Sequence, residues 1–368
     1  MSEWKEYKLG EIAEILDYKR KPLSSMERST RKGIYPYYGA SGIIDGIDDY
    51  IFDGEHVLIS EDGENLRTRQ TPIAFLANGK FWVNNHAHIL KADHVHSRLI
   101  CYYFAQLDLN PYITGAVQPK LNQDSLNRIP LYLPMAINER EKIVSILSSL
   151  DDKIDLLHRE NATLEQMAET LFRQWFVEEA KEEWKEGKLG DEFALTMGQS
   201  PSGDSFNEER IGVPMYQGNA DFGFRFPTRR VYTTKPTRFA KVNDTMISVR
   251  APVGAQNMAT EKCCIGRGVA ALRYKNNPSY YSYTYYKLKS LLEEIKQFND
   301  NGTVFGSISK ADFENLDIVI PDENTIMSFQ QQVKAIDDKI INNNKEIQTL
   351  IQTRDGLLPR LMNNEIKF

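Results

Sequence analysis

The side chains that could do chemistry are few and poorly grouped. His86 and His88 alternate in Asn84-Asn85-His86-Ala87-His88, a spacing at which two imidazoles could share a metal. A later stretch of similar character has Arg267 and Ala270 instead, so the pair is weak as a metal site. The cysteines are Cys101, Cys263 and Cys264, an odd number with no C-x-x-C spacing. They read as small buried hydrophobes in a reducing compartment. Gly266-Arg267-Gly268 has two glycines only, and no complete phosphate loop or dinucleotide fingerprint occurs. Neither H-E-x-x-H nor G-x-S-x-G is present.

Two longer motifs are also incomplete. Asn110-Pro111-Tyr112 lacks the second proline of the Asn-Pro-Pro-Tyr motif of DNA adenine methyltransferases, and no glycine-rich cofactor motif precedes it. It reads as a helix-terminating turn. Pro321-Asp322 and Glu365-Ile366-Lys367 contain pieces of a nuclease signature, but a whole helix separates them. The chain reads as one that binds without catalysis.

The elements that would carry such binding come in duplicate. Glu3-Trp4-Lys5-Glu6-Tyr7-Lys8-Leu9-Gly10 returns as Glu183-Trp184-Lys185-Glu186-Gly187-Lys188-Leu189-Gly190, with seven of eight positions identical. Pro36-Tyr37-Tyr38 is echoed by Pro214-Met215-Tyr216, and Val57-Leu58-Ile59-Ser60 by Thr245-Met246-Ile247-Ser248. Gly115 to Pro134 aligns without a gap to Gly302 to Pro321. Such self-similarity is an internal repeat.

A long helix follows each copy. From Asn138 to Val177 there is no proline or glycine, and apolar residues recur at heptad spacing: Ile143, Leu147, Leu150, Ile154, Leu157, Leu164, Ala168, Leu171 and Trp175, with Asn161 in the gap. The second stripe runs Phe329, Val333, Ile336, Ile340, Asn343, Ile347, Leu350, Arg354, Leu357 and Leu361. Asp151-Asp152-Lys153-Ile154 recurs as Asp337-Asp338-Lys339-Ile340. Two stripes of matched length should pack on each other, and antiparallel packing lets the chain return. It implies a pseudo-twofold repeat with the modules at opposite ends. Aligning the midpoints places Asn161 opposite Asn343, a polar pair that would set register.

The expected architecture is therefore α+β: two α/β modules separated by two long antiparallel coiled-coil helices. The segments are a module over 1–137, a helix over 138–182, a module over 183–321, and a helix with C-terminal tail over 322–368. Strands are expected at His56 to Ser60, Ile73 to Leu76, Ile89 to Lys91, Asp244 to Val249 and Val269 to Arg273. Leu99 to Leu107 and Tyr280 to Glu294 read as helices. Residues 110–128 and 297–315 read as loops. Each module suits a small curved sheet or barrel, with the tyrosines of 280–286 as core.

Of the 368 residues 41% are hydrophobic and 26% charged, which is ordinary globular composition. No apolar run approaches the ~20 residues needed to span a bilayer, and the N-terminus lacks a signal-peptide core. A cytoplasmic protein with no membrane partner is expected. The net charge of −6 is uneven: 1–137 carries −2, 138–186 carries −6, 187–321 carries +3 and 322–368 carries −1. The acidity sits on the first long helix and its exit, which therefore cannot face phosphate.

Two divergent modules, each opened by Trp4 to Gly10 or Trp184 to Gly190, alternate with two similar helices. Ile308 to Leu316 closes a module, and Glu139 to Leu157 and Leu171 to Val177 lie in the first helix. In this order the motifs resemble the specificity (S) subunit of type I restriction–modification systems over essentially the whole chain. The resemblance implies that the modules are target recognition domains. Each would read one half of a bipartite, asymmetric site in double-stranded DNA. The helices would set the spacer and dock two methyltransferase (M) subunits, which bind S-adenosylmethionine and methylate adenine N6. Two restriction (R) subunits would use ATP and Mg. The chain itself would hold no cofactor, no metal and no catalytic residue.

Under that resemblance, base edges would be read by polar side chains on loops. In the first module these are Arg67, Arg69 and Gln70, then Asn84, Asn85 and His86, then Gln118, Lys120 and Asn122. In the second they are Gln217, Asn219, Arg250, Arg267, Ser307, Ser309 and Lys310. Ser41 is the counterpart of Asn219. Lys19-Arg20-Lys21 would touch phosphate, if anything. Two other classes compete with this reading. One is a self-contained nuclease or methyltransferase, disfavoured by the missing motifs. The other is a tandem module binding protein or sugar on a coiled-coil stalk.

Overall fold

The computed structural model describes residues 3–115, 117–299 and 307–367. Contacts divide the chain into two compact units: Met1–Leu157 with Glu346–Phe368, and His158–Lys345. The long helices, Ile137–Arg173 and Glu323–Met362, each contribute to both units. The first ends in a π-helical turn, Gln174–Glu178.

In the first unit the module's opening and closing sequences are hydrogen-bonded to each other. Trp4–Lys8 pairs antiparallel with Pro130–Pro134, from Trp4 opposite Pro134 to Lys8 opposite Pro130. A four-stranded sheet has the order Glu14–Ile15, Ala87–Lys91, His56–Ser60, Ala74–Ala77, all antiparallel. His56–Ser60 is buried at every position, as a strand covered on both faces must be. A three-stranded sheet places Lys32–Gly39 between Gly42–Ile47 and Trp82–Val83, the last pair parallel. The helix His94–Gln106 is capped by Asp93, whose carboxylate accepts from the His96 amide.

The second unit repeats this plan, with a five-stranded sheet in place of the three-stranded one. Lys185–Lys188 pairs with Asp317–Ile320. The four-stranded sheet runs Phe193–Met197, Val269–Tyr274, Thr245–Ser248, Gln256–Met258. A five-stranded sheet again contains one parallel pair, Val213–Tyr216 beside Cys263–Ile265. The helix Tyr281–Ser290 buries every residue from Tyr281 to Leu288, so its tyrosines are core, as expected from sequence. In place of the single small sheet or barrel expected per module, the described residues of each form three sheets: one of two strands, one of four, and one of three or five. The stretches read as loops contain short helices at Gln123–Asn127 and Lys310–Glu314. Residues 300–306 of the second such stretch lie outside the described residues.

The two long helices run antiparallel within each unit. In the first unit Ile154 and Leu157 pack with Ile347, flanked by Leu350 and Ile351. In the second unit the Asn343 amide donates to Asn161 Oδ1 at 2.9 Å and to Glu160 at 3.0 Å. Asn161 and Asn343 are 3% and 1% exposed. The strict heptad does not describe the whole buried face. Leu164, Leu171 and Trp175 are half-buried, whereas Glu165, Phe172 and Phe176 are buried. The reason is a third element. Module helix Tyr281–Ser290 also lies on this face, and Phe172 and Phe176 pack on Tyr283 as well as Phe329. A stripe with two partners is wider than a two-helix seam.

The paired amides make a stability prediction. Asn343→Leu strands the Asn161 amide in an apolar seam and should cost about 1–3 kcal/mol. The double change Asn161→Leu with Asn343→Leu should recover most or all of that loss. Thermal melts of the single and double variants check this; a double variant no more stable than the single one removes the pairing argument.

Candidate nucleic-acid interface

Three loops of the second unit converge at the ends of its strands. Gln217-Gly218-Asn219 follows the strand Val213–Tyr216. Arg250 follows Thr245–Ser248 by two residues, and Arg267 lies between Cys263–Ile265 and Val269–Tyr274. Together with Ser200 they line an open cleft of about 170 Å³. Gln217, Asn219, Arg250 and Arg267, chosen separately from sequence, therefore share one site. Ser307 is bridged to Arg250 through the backbone.

Two glycines of this region serve close packing. A Cβ on Gly268 would lie 2.0 Å from the Gln217 carbonyl oxygen, and one on Gly198 would lie 2.1 Å from that of Gly266. Only residues without a side chain allow these loops to touch. The Gln217 loop is held from beneath: its amide donates to Asp221 at 2.6 Å, and Arg230 pairs with Asp221 at 2.7 Å. Arg267 donates to Ser200 Oγ at 3.3 Å. Arg250, Arg267, Gln217 and Asn219 are all exposed. The cleft thus presents donors and amides on a rigid rim, a combination suited to acceptor edges such as guanine O6 and N7. Ser200 was missed from sequence because Gln199-Ser200-Pro201 signals only a turn.

Ser309 and Lys310 have local partners. The Ser309 hydroxyl caps Lys310–Glu314 by accepting from the Asp312 amide at 3.2 Å, and Asp312 accepts from the Ser309 amide in return. Lys310 faces Glu314 at 3.3 Å across the helix surface.

In the first unit the corresponding corner has different chemistry. By the repeat, Asp62 occupies the position of Arg250. His86 Nδ1 lies 2.9 Å from the Asp62 carboxylate, and the Asn84 amide oxygen accepts from the His86 amide at 2.8 Å. Asn84 is buried and holds this turn, while Asn85 and His86 are exposed. Lys120 pairs with Glu61 at 3.1 Å and is bridged through the backbone to Asp62 and Thr114. Gln118 and Gln70 are exposed, as is Ser41 in the turn after Lys32–Gly39.

Several first-module assignments need correction. Arg69 does not project as a base reader. It adopts a left-handed backbone (φ 51°), and its guanidinium donates to the carbonyls of Phe104, Ala105 and Leu107 at 3.1, 3.2 and 2.5 Å. It satisfies the last turn of the helix His94–Gln106, where a cation also complements the dipole. Asn122 is a helix cap, its side chain accepting from the Ser125 amide at 2.8 Å. Arg67 is exposed, though it reaches the Gly115 carbonyl at 3.2 Å. Arg20 turns inward, bonding Glu61 at 2.5 Å and the Ala87 carbonyl at 2.9 Å, so only Lys19 and Lys21 of that run are exposed.

His88 is not paired with His86. It is buried between Asp17 at 2.5 Å and the Leu121 carbonyl at 2.7 Å. Asp17, Glu61 and His88 bring ligand atoms within 4.8 Å of one another, but Arg20 and Lys120 already neutralise this cluster. Burial alone would raise the Glu61 carboxyl; the Arg20, His88 and Lys120 contacts outweigh it and hold Glu61 below its ordinary range. Burial pushes the thiols of Cys101 and Cys263 up to about 12, so neither is a nucleophile near neutral pH.

The sequence model described as "Type I restriction modification DNA specificity domain" matches residues 1–166 and again 181–352. The chain belongs to this family. The type I restriction enzyme MjaIX specificity subunit of Methanocaldococcus jannaschii is 24% identical over 343 residues, 83% of this chain and 78% of its own length. A second chain of that organism, named for the type I restriction enzyme MjaX specificity subunit, is 31% identical over 283 residues. That match covers 72% of this chain and 66% of the relative. Among solved structures, the type I restriction–modification S subunit from M. genitalium shares the fold, with a TM-score of 0.62 at 17% identity. The alignment covers 98% of this chain and 96% of that one. Each match covers one module and runs on into the long helix that follows it, so the unlike corners occupy equivalent positions in one shared framework.

The Arg69 correction can be tested apart from any ligand. Arg69→Ala exposes three helix-end carbonyls without a partner and should destabilise the protein by about 1–3 kcal/mol. Arg67→Ala should stay within about 0.5 kcal/mol of the parent. Urea unfolding of both variants measures the difference, and equal effects would return Arg69 to the list of exposed contacts.

Proposed function

We propose that this chain is the DNA-sequence-recognition subunit of a type I restriction–modification complex. Each module reads one half of a bipartite, asymmetric site, and the paired helices set the unread spacer. The observation that carries this reading is the contrast between the two corners. One framework is used twice, yet the second unit offers Arg250 and Arg267 where the first offers Asp62 and Asn85. Two unlike half-sites require this kind of divergence, whereas a duplicated enzyme would repeat its reacting groups.

The remaining assignments follow from that role. The chain holds no catalytic residue and no cofactor. Two M subunits dock on the helices, bind S-adenosylmethionine and methylate adenine N6, and two R subunits supply ATP- and Mg-dependent cleavage. The complex acts in the cytoplasm. With a net charge of −6 and a basic excess of only +3, confined to 187–321, the chain alone binds DNA weakly, because phosphate neutralisation supplies most non-specific affinity. The M subunits contribute much of the cationic surface.

Methylome sequencing of a host carrying the chain with its M subunit tests the proposal. The expected result is adenine methylation at one bipartite motif with a constant spacer. Absence of methylation, or one contiguous motif, overturns it. Arg250→Ala or Arg267→Ala should cost about 1–3 kcal/mol of discrimination per lost base contact. The relaxed positions should lie in one half-site only, as read from the altered methylation motif.

A further inference from the structure

The duplicated Asp-Asp-Lys-Ile sequence has no task in DNA reading, yet it is not a solvated charge run. Asp337 is 1% exposed. Its Oδ1 accepts from Arg225 at 2.8 Å and from the Tyr286 hydroxyl at 3.2 Å. Arg225 lies between Asn219–Asp221 and Val231–Thr233 and is itself 1% exposed. Its guanidinium stacks on the Tyr285 ring at 3.3 Å and stands 3.7 Å from Glu165. Asp338 accepts from the Tyr281 hydroxyl at 3.3 Å. Asp337 lies on the second long helix, Glu165 on the first, and Tyr281, Tyr285 and Tyr286 on the module helix. One arginine therefore ties a module loop and the module helix to both long helices.

The first unit solves the same problem with the same aspartate. Asp151 accepts from the Tyr102 hydroxyl of the module helix at 2.7 Å and from Arg354 of the second long helix at 2.9 Å. Arg98 of the module helix faces Asp152 at 3.5 Å. The arginine that engages the first aspartate comes from a module loop in one unit and from a long helix in the other. In both, a module-helix tyrosine and an arginine meet on the first aspartate of the pair, and three elements are joined.

Such contacts are directional where apolar packing is not. An apolar interface tolerates a small slide or rotation; a buried ion pair with two hydrogen bonds loses its partners when either moves. The demand on the fold is of this kind. Adding one base pair to a spacer moves a half-site by about 3.4 Å and turns it by about 34°, since a turn of ~10 base pairs spans ~34 Å. A module free to rock on its helices by that amount would accept more than one spacer.

We propose that the repeated Asp-Asp pair is the anchor that fixes each module on the long helices. Asp337 with Arg225, and Asp151 with Tyr102, are positioning residues for spacer selection. This inference rests on the reading of the chain as a DNA-recognition subunit.

The test uses the complex with its M subunits and duplexes whose spacer is the native length, one base pair shorter or one longer. Arg225→Met combined with Asp337→Leu replaces the ion pair by apolar groups of similar volume, an exchange that buried pairs often survive with their fold intact. The expected result is an affinity preference for the native spacer reduced about tenfold, a change of one logarithmic unit in the Kd ratio. Discrimination against base changes within each half-site should stay at the parent level. Tyr102→Phe, which removes one hydroxyl, should relax the same ratio less. If the double variant fails to fold, Asp337→Asn is read in the same way. A folded variant with the parent's spacer preference overturns the inference, and so does an equal loss of spacer and base discrimination, which marks general damage. A parent complex that recognises no bipartite site overturns both this inference and the function on which it rests.

Discussion

A long helix with an apolar stripe is stable in water only when that stripe is covered. In this protein the cover is shared between the other long helix and the module beside it. In the first unit Ile143, Val144 and Leu147 enter the same core as Val57, Leu90, Leu99 and Phe104, together with Leu358 and Leu361. In the second, Ala168, Phe172 and Phe176 join Phe329 and Val333 around Tyr283 and Tyr286. The modules are therefore not beads on a rod. Each has part of the rod in its core, which is why the boundaries between compact units fall inside the helices, at Leu157 and Lys345, and not at their ends.

That shared burial explains where polar residues are admitted. Asn161 and Asn343 satisfy each other within the seam, a common way of setting register in paired helices. Asp151 and Asp337 take partners from the module instead. Both kinds of group lose their hydrogen bonds if an element shifts, so the same cover that stabilises the helices also makes the position of each module specific.

The loops follow the opposite logic. Their framework is repeated: a parallel pair of short strands, a buried Ser60 or Ser248 at the end of a central strand, and a polar turn beyond it. What projects from that framework is not repeated. Close backbone approaches at Gly198 and Gly268 keep the second rim compact, and Asp221 braces it. Exposed side chains on such a rim can change without disturbing the core, which allows one architecture to serve unlike targets.

Sequence alone carried the internal repeat, the antiparallel helices, the Asn161–Asn343 pairing and the group Gln217, Asn219, Arg250 and Arg267. These were legible because heptad spacing, duplicated motifs and strand-end arginines are local patterns with fixed geometric meaning. It did not carry the inward turn of Arg20, the helix-capping role of Arg69, or the burial of Arg225 and Asp337. Each of those is a charged side chain that sequence places on a surface. Its fate depended on a carbonyl, a carboxylate or a tyrosine tens of residues away. Periodicity reports which face of an element is apolar. Only the tertiary structure decides what stands opposite a charge, and a charge is buried only where that opposite group pays the cost of removing it from water.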